Sequence, residues 1–144
     1  MGRIHLVEGR ETAQFFGQVG QQAARRAKRI RAGGGLKRVR ALCHGETDTV
    51  ALMATVACEI HHAHPFADWT GFYRVTEPEL LKIGPYQGGH GCLVIPFSRG
   101  VCGASARSGK VLSVPDVDAF PDHIACASST RSELVLPVWN GAGR

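Results

Sequence analysis

The chain has 144 residues, of which 44% are hydrophobic and 20% charged, a length and balance that predict one soluble globular domain. No apolar run approaches the length of a membrane span and no secretory signal pattern is read, so neither a membrane nor an export role is expected. The net charge of +5 is uneven: residues 1–40 carry ten Lys/Arg against two Asp/Glu, and the remainder seven against ten, so a basic face for nucleic acid is not expected on the domain body.

Residues 1–37 read as a basic tail or leader outside the domain. The run QQAARRAKRIRAGGGLKRVR (21–40) is broken by Gly33-Gly34-Gly35, and Ala23, Ala24, Ala27 and Ile30 can line only a short basic helix. A mitochondrial leader is Arg-rich and amphipathic, but Glu8 and Glu11 count against one. From Thr47 the pattern becomes helical. Met53, Val56, Ala57 and Ile60 recur at i, i+3, i+4, i+7, with Thr47, Asp48 and Thr49 as capping residues and Pro65 as the stop. His61, His62 and His64 suit the negative end of that helix, and their spacing lacks the i, i+4 placement of good metal ligands. No metal site is expected.

DWTGFYRV (68–75) predicts a strand, and Gly84-Pro85 predicts a turn after it. CLVIPF (92–97) is a second strand, with Cys92 opening it. A Gly-flanked turn, a short helical stretch and a strand at 110–114 follow, and SELVLPVW (132–139) is a further strand. In it Glu133, Val135 and Pro137 share one face and Leu134, Leu136 and Val138 the other. The sum is an α/β (α+β) domain over residues 38–144, an antiparallel sheet flanked by helices.

The five cysteines, Cys43, Cys58, Cys92, Cys102 and Cys126, include no C-x-x-C pair, and their odd number argues against a structural disulfide framework. Packing, metal binding and thiol chemistry all remain open on the residues alone. A lone cysteine such as Cys126 is most often a small buried hydrophobe. A carboxylate opening an apolar strand, as Glu133 does, most often faces solvent.

RGVCGASARSGKVLSVPDV followed by SELVLPV resembles the core of a GAF domain, a small-molecule-binding antiparallel sheet with helices against it. GETDTVALMATVACEIHHAHPFADWTGFY, GPYQGGHGCLVIPFSRGVCG and VPDVDAFPDHIACASSTRSELVLPV together resemble one branch of that fold, the free methionine-R-sulfoxide reductases, from about Arg38 to Val138. The resemblance implies reduction of free methionine-R-sulfoxide. In it Cys126 is the catalytic cysteine, Cys92 resolves the oxidised Cys126 by forming a disulfide, and Cys102 is a third family cysteine whose role varies. Trp69 and Tyr73 correspond to aromatics lining the substrate pocket, and Glu133 to a carboxylate that grips substrate. No bound cofactor is implied; thioredoxin is the expected external reductant, the cytoplasm the expected compartment, and pairing of two copies is common for the fold.

The chemistry suits these residues. A thiolate is the attacking form of cysteine; Cys102 and Cys126 are expected in loop or helix-start segments, and a cysteine near a helix N-terminus can have its pKa depressed. His123, three residues before Cys126, is a candidate base. A partly buried Glu133 is expected to have a raised pKa, suited to holding a proton for the sulfoxide oxygen, or else to pair with the substrate ammonium. Arg131 is a candidate partner for the substrate carboxylate. The resemblance also implies further strands and a closing helix after residue 138, with pocket aspartates, that this sequence does not contain; the sheet is therefore expected to lack a central strand. A non-catalytic GAF module that binds a small molecule, or an inactive relic, is the alternative reading.

Overall fold

A computed structural model describes residues 2–9 and 35–139. The elements in chain order are β1 (Gly2–Gly9), α1 (Gly35–Leu42), α2 (Thr49–Ala63), β2 (Ala67–Glu77), β3 (Leu80–Gly88), β4 (Val94–Pro96), α3 (Gly100–Ser108), β5 (Leu112–Val114) and β6 (Ser132–Trp139). The six strands form one sheet in the order β4-β3-β2-β1-β6-β5.

Helix α2 follows its sequence signals closely. Asp48 is its N-cap, with Oδ1 accepting from the Ala51 amide at 2.7 Å, which satisfies one of the orphan donors of the first turn. Met53, Val56 and Ala57 are buried and Ile60 packs beside them. With Leu6, Val39, Phe72 and Val138 they form the core between the sheet and the helices α1 and α2. The three histidines at its end are engaged locally. His62 and His64 place Nδ1 against the carbonyls of Cys58 and Ile60, at 2.8 and 2.9 Å, and His61 reaches Thr70 Oγ1 at 3.4 Å.

Three sequence expectations are corrected here. First, Gly2–Gly9, read as part of a basic tail, forms β1, which lies in the middle of the sheet between β2 and β6. Ile4 pairs with Thr70 on one side and Leu134 on the other. A strand from the N-terminal segment therefore lies at the centre of the sheet. Of the rest of that basic segment, residues 10–34 lie outside the described residues and residues 35–37 open α1. Second, the sheet is mixed rather than antiparallel, because β1 runs parallel to both neighbours. A parallel pair needs a long crossover, and the chain from residue 10 to residue 66, which includes α1 and α2, supplies it. Third, Gly84-Pro85 does not turn the chain. Tyr86 pairs with Gly71 and Ile83 with Tyr73, so β3 has one residue more than β2 across that interval. The Gly-Pro pair sits in a β-bulge, one of the few strand positions that tolerate a missing amide donor.

The second core lies on the opposite face of the sheet. Trp69, Tyr73, Leu81, Ile95, Val101, Cys102 and Val135 form it, covered by α3 and by the loops that carry Cys92 and Cys126. Alternation along the strands decides which residues reach it. Trp69 and Tyr73 on β2 and Glu133 and Val135 on β6 face this side, whereas Phe72 and Val138 face the helices.

Candidate active site

Strand β2 brings Trp69 and Tyr73 to the centre of this second face, both with no solvent exposure. Their rings stack with centroids 5.7 Å apart, and Tyr86 also stacks with Trp69 at 5.5 Å. Such pairs add about 0.5–1.5 kcal/mol beyond area burial, so the aromatic floor is rigid. The Tyr73 hydroxyl donates to the Cys92 carbonyl at 2.9 Å, which ties the loop before β4 to that floor. Burial pushes the Tyr73 phenol pKa up, so it stays protonated. Gly91 makes the approach feasible: a Cβ there would sit 3.0 Å from the Tyr73 oxygen and from Ile83 Cδ1.

Cys92 lies in the loop before β4 rather than opening a strand. It is joined to Cys126 by a disulfide with a Cα–Cα distance of 5.1 Å, across 34 residues of sequence. Both half-cystines are partly buried and pack against the aromatic core. Cys126 occupies an irregular segment between β5 and β6, not a helix start. Cys102 does lie in the first turn of α3, yet its thiol pKa is pushed well above the ordinary value, first by burial and next by the charge of Glu133. The expected depression is overturned, because desolvation outweighs the partial charge of a helix end.

Glu133 is 9% exposed at the edge of the same cluster. Burial, the largest influence, pushes its carboxyl pKa up. The opposing influences of His5, with Nε2 3.7 Å from Oε1, and of the His123 and Arg3 charges more than offset this, so the group lies below its ordinary value. A raised pKa is thus overturned: Glu133 is an ionised acceptor and does not store a proton. Arg131 is mostly exposed and 3.7 Å from Asp118.

Two residues that the sequence reading passed over complete the site. His5 on β1 is 2% exposed and stacks on Trp69 with ring centroids 4.7 Å apart. Arg3 is buried beside it, 4.0 Å from Asp68 Oδ1 and 6.0 Å from the Trp69 ring, and donates to the His90 carbonyl at 3.3 Å. The alternation of RIHLV, polar at 3 and 5 and apolar at 4 and 6, is the signal that could have found them. Several buried polar atoms here have no hydrogen-bond partner among the described residues: both His5 ring nitrogens, Arg3 Nε, Asp68 Oδ1 and Trp69 Nε1. Unpaired buried polar atoms are costly, and five of the eight found among the described residues gather here.

No family model matches the chain. The free methionine-R-sulfoxide reductase of Escherichia coli strain K12 is 39% identical over 98 residues, covering 68% of this chain and 59% of that protein. The structure of the free methionine-R-sulfoxide reductase of Neisseria meningitidis in complex with its substrate is 43% identical, covering 68% of this chain and 59% of that one, with a TM-score of 0.65. The fRMsr of Staphylococcus aureus in complex with substrate is 30% identical, covering 72% and 67%, with a TM-score of 0.61. A structure of the GAF domain superposes with a TM-score of 0.67 at 30% identity, covering 90% of this chain and 70% of that one.

The fold is therefore that of a GAF domain, an α+β sheet carrying a paired-cysteine site on one face. Within it, the chain belongs to the free methionine-R-sulfoxide reductase family. It spans 59–65% of the length of the curated relatives it matches. Among the described residues no helix is long and apolar enough to cross a membrane.

Proposed function

We propose that this domain reduces free L-methionine-(R)-S-oxide to methionine with electrons from Cys126 and Cys92. The observation that carries the reading is the Cys92–Cys126 disulfide lying against a buried aromatic floor with an ionised carboxylate beside it. The Cys126 thiolate attacks the sulfoxide sulfur, and the oxygen takes a proton. The substrate S–O bond breaks as the hydroxyl passes to the Cys126 sulfur, and methionine departs, leaving Cys126 as a sulfenic acid. The Cys92 thiol condenses with that acid, water leaves, and the disulfide forms. An external dithiol then reduces it; thioredoxin, at roughly −270 mV, in the cytoplasm is the proposed source.

Free methionine differs from a protein-bound residue in its ammonium and carboxylate groups. Glu133 pairs with the ammonium, consistent with its ionised state. Arg3, rather than Arg131, pairs with the substrate carboxylate, because it is the guanidinium beside Trp69. Trp69 and Tyr73 pack against the methyl sulfoxide, which requires the His5 ring to yield part of the space above them. Cys102 stays a buried thiol that supports the floor. A non-catalytic binding module has no use for a cysteine pair joined at this position.

The test is NADPH consumption coupled through thioredoxin reductase and thioredoxin, with free L-methionine-R-sulfoxide and its S epimer as substrates. Turnover of the R form alone, abolished in Cys126→Ser, is the expected result. A folded unmutated chain without turnover, or a Cys126→Ser form of equal rate, overturns the mechanism.

A further inference from the structure

We propose that His5, Cys102 and Glu133 form a binding site for one divalent cation of the zinc type. The proposal stands on the site's geometry and is independent of the reductase reading. One donor atom from each residue lies within 4.8 Å of the other two, and all three residues are buried. They come from three separate elements, β1, α3 and β6, so no single local motif accounts for their convergence.

Three features point to a cation. His5 Nε2 and Glu133 Oε1 are 3.7 Å apart, too far for a hydrogen bond. Two ligand atoms on one tetrahedral zinc ion lie roughly 3.3–3.8 Å apart. A contraction of about 1 Å at the widest pair completes the array, within the reach of side-chain torsions. His5 is nearly inaccessible, and neither ring nitrogen has a hydrogen-bond partner among the described residues. Its one charged neighbour at ion-pair distance among those residues is Glu133, and a shared metal ion would give both of them a direct bond.

The charges also close. A dication beside the Cys102 thiolate and the Glu133 carboxylate makes a neutral centre, and the nearby Arg3 faces Asp68 as its counter-charge. Binding displaces the Cys102 thiol proton, and any proton on the ligating His5 nitrogen, to solvent as the metal–sulfur, metal–nitrogen and metal–oxygen bonds form. The mixed S, N, O donor set selects borderline metals such as Zn²⁺ over Mg²⁺ or Ca²⁺, which take oxygen. Three protein ligands leave a fourth position for an exogenous ligand, as in open zinc sites. The other thiol–imidazole pair, Cys58 and His62 at 3.6 Å, is exposed and has no third donor among the described residues. If Glu133 also holds the substrate ammonium, cation and substrate exclude each other. That consequence, unlike the site, rests on the reductase reading.

Co²⁺ titration of the chelator-stripped, Cys92–Cys126-oxidised protein tests the site, followed by displacement with Zn²⁺. The expected result is one equivalent bound, with four-coordinate d–d bands and a thiolate-to-cobalt charge-transfer band. Cys102→Ser removes the charge-transfer band. His5→Ala and Glu133→Gln each weaken binding by more than about 100-fold, beyond the 10–100-fold typical of losing an outer-shell group. Should a variant misfold, X-ray absorption of the unmutated zinc form decides: one sulfur with two or three nitrogen or oxygen scatterers supports the site. No stoichiometric binding, a charge-transfer band that survives Cys102→Ser but not Cys58→Ser, or a shell with no sulfur or two overturns it.

Discussion

Glu133 and Cys102 share one buried neighbourhood, yet their protons are held in opposite directions. Glu133 has cationic neighbours and lies below its ordinary value of 4.5; Cys102 has a carboxylate neighbour and lies well above 9.0. Each follows from burial plus the sign of the nearest charge. For Glu133 the unfolded chain binds its proton more readily than the folded one. Its contribution to stability is therefore complete above the unfolded value and lost as the pH falls through the folded one. The melting temperature of the unmutated protein should drop more steeply below about pH 4.5 than that of Glu133→Gln; parallel profiles would show that the carboxyl is not depressed. For Cys102 the expected outcome is slow alkylation. Of the free thiols at 43, 58 and 102, residue 102 is modified last under native conditions and promptly in denaturant, as read by peptide mass spectrometry. The position of Cys102 at a helix start was legible from its glycine flanks. Its protonation was not, because burial and the Glu133 charge depend on elements more than twenty residues away.

At the scale of elements, β1 and β3 separate what local pattern can reveal from what it hides. The helical stripe of α2 and the alternation of β6 are signals within a few residues, and both elements form where the pattern places them. Strand β1 is short and polar at the positions that face the site, and a +8 segment of forty residues masks it. Its role is visible only once β2 and β6 are present to pair with it. Leu6 measures that role. It is 1% exposed and packs with Met53, Val56 and Phe72. Leu6→Ala should cost about 2–5 kcal/mol, the range for a buried leucine, in denaturant unfolding. A cost within about 0.5 kcal/mol, typical of a surface change, would place β1 outside the sheet. Gly71 tests the floor in the same way. A Cβ there would lie 2.8 Å from both Trp69 Cη2 and the Tyr86 Cα. Backbone cannot retreat as a flexible side chain can, so Gly71→Ala should cost about 1–3 kcal/mol and alter the near-ultraviolet circular dichroism of Trp69. An unchanged spectrum and stability would contradict the packing.

Across the whole molecule the sheet consists of two parts, β4-β3-β2 and β6-β5, joined through β1. The candidate site straddles that junction: Trp69 and Tyr73 come from one part, Glu133 from the other, and Arg3 and His5 from the joining strand. The family resemblance was legible because its motifs are contiguous stretches around the cysteines and strands. The junction was not, since it couples residues 2–9 to residues 67–73 and 132–139 through pairing that no local window contains. In this architecture β1 is, like β2, an interior strand paired on both sides. A central strand exchanges its amide protons only by giving up ladders on both sides and leaving two unpaired edges. Hydrogen exchange followed by mass spectrometry should therefore find the amides of residues 3–6 as protected as those of β2, and nearer to global unfolding than those of β5 at the sheet edge. Fast exchange in residues 3–6 beside a protected β2 would mean that the halves meet without this strand. Arg3 and His5 would then leave the site, and with them both the proposed carboxylate grip and the proposed cation site.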